Sequence, residues 1–462
     1  MSKEISTDSA AIEHFLGRAR ENVYPTPEAL GKEMASGRRL TVYLGVDPSG
    51  PSLHIGHAIA MRKLAELQRM GHRCILLIGD FTAMIGDPTD KSATRVKLSR
   101  EQVIENCKSY KEQASKILDF GGENPVELKF NNDWLGKMSF ADVVELASHF
   151  TVQQMAERDM FRRRMSWRSD CPFCGNENYM SAESQESSVD EKGNHIIVST
   201  YDDNRKWRCK KCHKEYAPES AGEVHSPRPV YLHEFLYPLM QGYDSVAMDV
   251  DLEIGGNDQT FNMLAGRTLL REMKGKEKYV FTCKLLTDPT GKKMGKSEGN
   301  MITLDDAPED MYGKVMSWTD GMIVPGFELC TDLSDGEIVK IQTAMEEGEN
   351  PMTYKRRLAK DIVRAFVSDD AADKAEEHFT TVHQKHEKPE EMPTFRVPRT
   401  APKVKIVDVL VGSGLAASKS EARRQIEQGA VKVDDKVVDD TELEVGAGSV
   451  IQKGKRFFVK LI

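Results

Sequence analysis

Nowhere does the sequence hold an apolar run near the ~18 residues that a membrane-spanning helix needs. Its opening stretch, MSKEISTDSAAIEHF, carries acids and has no apolar centre, so it does not read as a secretion signal. Together these absences point to a cytoplasmic protein with no membrane partner. Cysteine is sparse, eight in 462 residues, and without an export signal disulfides are not expected. There is no large excess of either charge. Lys and Arg number 64 against 73 Asp and Glu, for a net charge of −9. A globally basic, nucleic-acid-coated surface is therefore excluded, and any RNA contact must come from a local patch. Long repeats and low-complexity tracts are also missing, which excludes a solenoid.

What remains is a globular composition, 39% hydrophobic and 30% charged, on a chain long enough for about three domains. LTVYLGV (40–46) reads as a buried strand running into the turn DPSGP (47–51). A helix from Ile55 to Arg69 and a second buried strand, RCILLIGD (73–80), complete a βαβ unit. Further strands are expected at 126–130, 251–256 and 279–286. Helices are expected at 100–118, 140–157 and 258–272, and residues 10–38 read as helix and loop. The fold class is α/β, an open Rossmann-like doubly wound parallel sheet, which binds nucleotides at the carboxyl ends of its strands. We take 1–304 as this catalytic domain, broken by a polar, cysteine-bearing insertion at 166–225. A helical domain follows at 305–385, then a proline-rich linker at 386–402 and a compact α+β module at 403–462.

Two segments look built for phosphate. In PSLHIGHA (51–58), His54 and His57 lie three residues apart at a helix start, where backbone N–H groups and the helix dipole favour anions. Gly56 between them allows a nucleotide close to the backbone. In KKMGKSEGN (292–300), Lys293 and Lys296 are mobile point charges suited to phosphate oxygens. Either segment alone is weak, because a lone H-x-x-H is usually structural and a lysine-rich loop usually solvated. Their order on an α/β pattern is the specific signal.

HIGH and the variant KMGKS, with Gly295 where serine is commoner, resemble the two signatures of class I aminoacyl-tRNA synthetases. The resemblance is closer still to the tyrosyl-tRNA synthetases of bacterial type, through VYLGVDPSGPSLHIGH (42–57), IGDPTDKSATR (85–95), EFLYPLMQGYDS (234–245) and EIGGNDQTFN (253–262). It spans nearly the whole chain apart from 166–225. It implies a tyrosine–tRNA ligase that uses ATP and Mg2+ to form tyrosyl-adenylate and then charges tRNA(Tyr), as a homodimer. Carried over, Tyr43 and Asp244 would bond the phenol of L-tyrosine, and Asp87, Tyr237 and Gln241 its ammonium. Gln259 would lie near its carboxylate. Asp47 would sit between amino acid and nucleotide. Gly45, Gly56, Gly255, Gly256 and Asp258 would line the ATP site, with Asp258 on the ribose. Lys91, Arg95, Lys293 and Lys296 would meet the pyrophosphate. Elementary chemistry supports the set, since a site with buried polar partners for one hydroxyl can reject phenylalanine by ~10⁵ without editing.

C-P-F-C (171–174) and C-K-K-C (209–212) supply four thiolates, the set tetrahedral zinc prefers, so Cys171, Cys174, Cys209 and Cys212 are expected to hold a structural Zn2+. His213 reads as a solvated neighbour. In the last module a capping box, Ser418 to Glu421, opens a helix bearing Lys419, Arg423 and Arg424, which Gly429 closes. Strands follow at 430–435 and near the C-terminus. The layout resembles the small RNA-binding fold of the S-four ribosomal type, which implies an RNA-binding role for those three cations. Rival readings are a tryptophanyl-tRNA synthetase, a nucleotidyltransferase that uses HIGH alone, and an RNA-binding scaffold descended from a synthetase.

Overall fold

The computed structural model describes residues 4–462 except 88–97, 157, 176, 181–184, 190–194, 200–206, 210, 217–223, 226, 288–300, 382–391, 398–402, 417, 435 and 455–456. The chain divides into two compact units, 1–287 and 288–462. Among the described residues no helix is long and apolar enough to cross a membrane.

The first unit is organised by six strands: β1 (Arg20–Tyr24), β2 (Thr41–Val46), β3 (Arg73–Ile78), β4 (Glu127–Phe130), β5 (Leu252–Gly256) and β6 (Tyr279–Cys283). Their order across the sheet is β1-β6-β5-β2-β3-β4, parallel throughout except for β1, which runs antiparallel to β6 at the edge. Runs such as Val42–Leu44 and Cys74–Ile78 are buried because a parallel sheet is covered on both faces. The chain leaves β2 toward β3 and β4, then returns to the other side of β2 with β5. That reversal opens a crevice at the carboxyl ends of β2 and β5.

The expected sheet is present, with three differences, the first being that 140–157 is two helices, Phe140–Ser148 and Val152–Ala156, instead of one. Residues 10–38 contain β1, whose burial pattern is broken by exposed Glu21 and Asn22, so it carries no strand periodicity. The stretch 100–118 is two short helices, Arg100–Cys107 and Tyr110–Ala114, instead of one. The break has a cause in the loop it holds. Asn106 donates to Pro48 O, Ser109 and Gln113 to Pro51 O, and Tyr110 to Gly50 O, while Leu53 N donates to Gln113. These bonds fix the turn between β2 and the next helix.

Three longer helices carry the site. They are α1 (Ile55–Arg69), α2 (Leu232–Met248) and α3 (Thr260–Lys274). On α2, Tyr237, Gln241, Asp244 and Ser245 fall at i, i+4, i+7 and i+8, which is one face. Helices α2 and α3 approach closely at glycines. A Cβ on Gly266 would lie 2.6 Å from Lys278 Nζ, 2.8 Å from Ser245 Oγ and 3.2 Å from Gly242 Cα. Overpacking of this kind costs about 1–3 kcal/mol. Gly266→Ala is therefore expected to lower stability by that amount in urea unfolding. An unchanged midpoint would mean the helices part freely.

Within 166–225 the described residues form short antiparallel pieces. Trp167–Asp170 pairs with Glu177–Met180 and Val224–His225, Gln185–Val189 with His195–Ser199, and Trp207–Arg208 with Glu215–Tyr216. In the second unit, helices Pro308–Met316, Ile323–Cys330, Asp335–Glu346, Pro351–Phe366 and Asp369–Phe379 bury Tyr312, Phe327, Leu358 and Ile362. The C-terminal module places helices Ile406–Gly412 and Lys419–Glu427 over a sheet around Ile426, Val431, Ile451 and Val459. Within 386–402, Thr394–Phe395 pairs in parallel with Lys460–Leu461.

Candidate active site

The crevice is floored by glycine. Gly45 on β2 and Gly56 on α1 are exposed, while Leu44, Val46, Ile55 and Ala58 around them are buried. His54 is the N-cap of α1, and its Nδ1 accepts the Gly56 N–H at 3.1 Å. His57 Nδ1 accepts the His54 N–H at 3.1 Å. The rings stack with centroids 3.8 Å apart. With both Nδ1 atoms accepting, a neutral ring carries its proton on Nε2, so each imidazole is a donor on its far side. A donor pair at a helix N-terminus suits an anion.

The carboxyl ends of the strands contribute the rest. Asp47, just after β2, accepts from Tyr237 Oη and Thr82 Oγ1, each at 2.8 Å. Burial pushes the Tyr237 phenol up, and Asp47 adds to the shift. Asp87 accepts from Gln259 Nε2 at 2.7 Å. Gln241 is fixed from two sides, donating to Glu253 Oε1 at 3.3 Å and accepting from Asn262 at 2.8 Å. Asp258 lies on the short 3-10 turn after β5. A Cβ on Gly256 would come within 2.5 Å of its Oδ1, and one on Gly255 within 2.8 Å of Met263 Sδ. A side chain at either glycine would displace Asp258 or Met263 from its place.

Deeper in, Tyr43 and Asp244 are 1% and 2% exposed. Tyr43 Oη lies 3.1 Å from Ser245 Oγ. Asp244 accepts from Trp134 Nε1 at 2.7 Å and Asn131 Nδ2 at 3.3 Å. Burial pushes the Asp244 carboxyl well up, against those two bonds. Burial likewise raises the Tyr43 phenol, with Glu253 and Asp244 adding to it. Behind Tyr43 is an ion pair between Lys278 and Glu253, whose side chains are 0% and 3% exposed. Lys278 also donates to Ser245 Oγ at 2.8 Å.

The structure thus brings Tyr43, Asp47, His54, His57, Asp87, Tyr237, Gln241, Asp244, Asp258 and Gln259 to one end of one sheet. Lys91, Arg95, Lys293 and Lys296 lie outside the described residues. Several participants had escaped the sequence. Gly79 was read only as a strand residue, yet a Cβ there would sit 1.9 Å from Asp47 Oδ1. Thr82, Asn131, Trp134 and Lys278 lie outside every motif, and Ser245, Glu253 and Asn262 lie within the motifs at 234–245 and 253–262 without a role of their own. The one available signal was that Asn131 and Thr82 follow closely on strand ends.

The four cysteines also converge. Cys171 and Cys212 sulfurs are 3.6 Å apart, as are those of Cys174 and Cys209, and all four lie within 4.8 Å of one another. A zinc tetrahedron with Zn–S of about 2.3 Å has S···S edges of about 3.8 Å. The N–H groups of Lys211 and Cys212 donate to Cys209 Sγ, and the Cys212 bond chiefly draws that thiol down to about 6. Residues following each C-x-x-C, Gly175 and His213, take φ of 68° and 59°. The second is a turn position filled by histidine. In the last module Ser418 caps its helix by accepting from Glu421 N, and Arg423 and Arg424 are exposed. Lys419 is also exposed and pairs with Asp408 at 2.7 Å.

A crevice at a sheet's switch point, with paired imidazoles at a helix start and the buried polar groups of Tyr43 and Asp244 nearby on β2 and α2, defines a class. Residues 35–173 and 206–384 match the family of tRNA synthetases class I (W and Y), and the chain belongs to that family. The unmatched 174–205 falls inside the cysteine-bearing insertion. Within the family the relatives are of the tyrosine kind. The chain is 39% identical over 436 residues to a tyrosine–tRNA ligase of Moorella thermoacetica, covering 94% of this chain and 90% of that one. It is 40% identical to that of Thermotoga maritima (92% and 90% covered) and 36% to that of Haemophilus ducreyi (98% of each). Residues 384–460 match the tyrosine–tRNA ligase SYY-like C-terminal domain. In fold, the chain resembles an Aspergillus nidulans mitochondrial tyrosyl-tRNA synthetase (TM-score 0.57, 19% identity, 81% and 94% covered). It also resembles that of Archaeoglobus fulgidus (0.53, 18%, 80% and 100% covered).

Proposed function

We propose that this protein is a tyrosine–tRNA ligase that works in the cytoplasm. It activates L-tyrosine with ATP and passes the tyrosyl group to the 3′ end of tRNA(Tyr). The observation that carries the reading is the closed pocket of Tyr43 and Asp244 beneath the HIGH helix start, in a chain whose relatives bear that name. A tryptophan-specific site is not favoured, because two buried oxygen groups want a hydroxyl partner.

Tyr43 and Asp244 would hold the phenol, while Asp87, Tyr237 and Gln241 hold the ammonium. The tyrosine carboxylate then attacks the α-phosphorus of ATP. The new bond is carboxyl oxygen to phosphorus, and the bond broken is that to the leaving pyrophosphate. No protein nucleophile is needed, so catalysis is positioning plus charge stabilisation. His54 and His57 would donate through Nε2 to phosphate oxygens, aided by Lys91, Arg95, Lys293 and Lys296. Asp258 would take the ribose, and Gly45, Gly56, Gly255 and Gly256 leave room for the nucleotide. Asp47 would separate the two substrates, held by Tyr237 and Thr82. Mg2+ would arrive on the ATP phosphates. Attack by the terminal ribose hydroxyl of tRNA on the adenylate carbonyl releases AMP.

Cys171, Cys174, Cys209 and Cys212 would hold structural zinc, and Arg423, Arg424 and Lys419 would meet the tRNA backbone. Activation would then lie in 1–304 and tRNA contact in 403–462. A homodimer is supported by apolar residues left uncovered on and beside α2 and its neighbouring helix Phe140–Ser148. Phe140 and Leu232 are each 84% exposed, and Val152 69%. Phe140→Asp should shift sedimentation from dimer to monomer, and a wild-type monomer would end this part.

Pyrophosphate exchange with each amino acid in turn tests the whole. Exchange is expected with tyrosine alone. No exchange with tyrosine and Mg-ATP would overturn the assignment. Arg423→Glu with Arg424→Glu should spare exchange and weaken tRNA charging.

A further inference from the structure

Arg158 is a buried cation without an assigned task. It lies just before the helix Asp159–Met165 and is 6% exposed. Neither Nη1 nor Nη2 has a hydrogen-bond partner. Its nearest acid is Asp87, with Nη2 3.6 Å from Oδ1, beyond a good hydrogen bond. The ring of Phe161 lies 5.6 Å from the guanidinium carbon and that of Phe261 5.4 Å, which shields it from water. Besides Asp87, the fields of Tyr237 and Asp258 reach it. Guanidinium cannot shed its charge, and buried donors left unpaired cost about 1–3 kcal/mol each or more. Asp87 supplies one charge at salt-bridge distance but no well-formed hydrogen bond, so the two Nη groups are left with donors for a second anion.

The place of that anion follows from its neighbours. Asp87 and Tyr237 are on the ammonium side of the proposed amino-acid site, and Asp258 is on the ribose side. Between ammonium and ribose lies the carboxylate of the bound amino acid. Gln259, the residue expected there, already donates its amide to Asp87 at 2.7 Å and accepts from Asn262 at 3.0 Å. We propose that Arg158 is a substrate-binding residue that takes the α-carboxylate of tyrosine on its two unpartnered nitrogens and turns one oxygen toward the α-phosphorus. This rests on the reading of the site as a tyrosine-activating one. The two Nη groups can both donate to one carboxylate oxygen, which leaves the other to attack.

The test compares L-tyrosine with tyrosinol, which keeps the phenol and ammonium but has no carboxylate. In Arg158→Gln, calorimetric binding of tyrosine is expected to weaken by about ten- to a hundred-fold, the usual loss for a charge-assisted hydrogen bond. Tyrosinol binding should stay within about three-fold of wild type. Equal losses for both ligands would mean that Arg158 acts through Asp87 on the ammonium, and the proposal falls. Unchanged binding of both would also overturn it. If Arg158→Gln does not fold, Arg158→Lys keeps the charge but not the fork, and should show the same asymmetry at smaller size. Wild-type exchange is measured first. A wild type inactive with tyrosine refutes the functional reading. An active wild type without the asymmetry refutes this inference alone.

Discussion

His54→Ala should slow tyrosine-dependent pyrophosphate exchange by about a hundred- to a thousand-fold while moving the tyrosine dissociation constant by less than about three-fold. The size is that of losing one preorganised donor to charge that grows in the transition state. Its selectivity follows from place. His54 stands at the start of α1, on the proposed nucleotide side, whereas the proposed phenol partners Tyr43 and Asp244 are buried on β2 and α2. His54 also caps the helix through Nδ1, and losing a cap costs about 1 kcal/mol. His54→Asn separates the two roles, because asparagine caps well but presents its amide differently. It should restore the melting temperature and recover only part of the rate. If both variants weakened tyrosine binding as much as they slowed exchange, the imidazole would be holding the pocket and not the transition state.

Zinc removal should have a larger energetic effect, confined to one part of the chain. The described part of 166–225 is made of short antiparallel pieces, and its buried residues are Ser169, Cys171, Cys209 and Tyr216. Two of those four are proposed ligands, so among the described residues little apolar burial holds this part without metal. Structural zinc in small modules binds with about 10–16 kcal/mol of apparent free energy, most of it expressed as folding. One zinc per chain is expected by metal analysis. A strong chelator should open 166–225 to proteolysis and leave the six-stranded sheet protected. Cys209→Ser should do the same without chelator. A metal content well under one per chain would refute the site. The sulfur spacing of 3.6 Å already separates this cluster from disulfides, whose S–S distance is about 2 Å.

Parts of this molecule were legible because their signals are local. The strand-turn-helix around Asp47 to His57 is written in consecutive residues, and Ile55–Arg69 appears at the expected limits. Both C-x-x-C turns are local too, as is the Ser418 cap. Edge strand β1 was not legible, because Glu21 and Asn22 break its alternation and its pairing with β6 joins residues some 260 positions apart. For the same reason the split of 100–118 was hidden. Its cause is a loop 58 to 62 residues upstream that takes bonds from Asn106, Ser109, Tyr110 and Gln113.

Sequence by itself determined the class of sheet, the two histidines at the helix start, the four cysteines that converge and the pattern that places the chain in its family. Each of those depends on neighbours within a turn or a knuckle. Tertiary structure alone decided how the pocket is supported. It seats Lys278 from the start of β6 on Glu253 of β5 and Ser245 of α2, behind Tyr43 of β2. It also leaves Arg158 buried with two donors unspent. No spacing along the chain can announce a charge that becomes costly only once folding has removed its water.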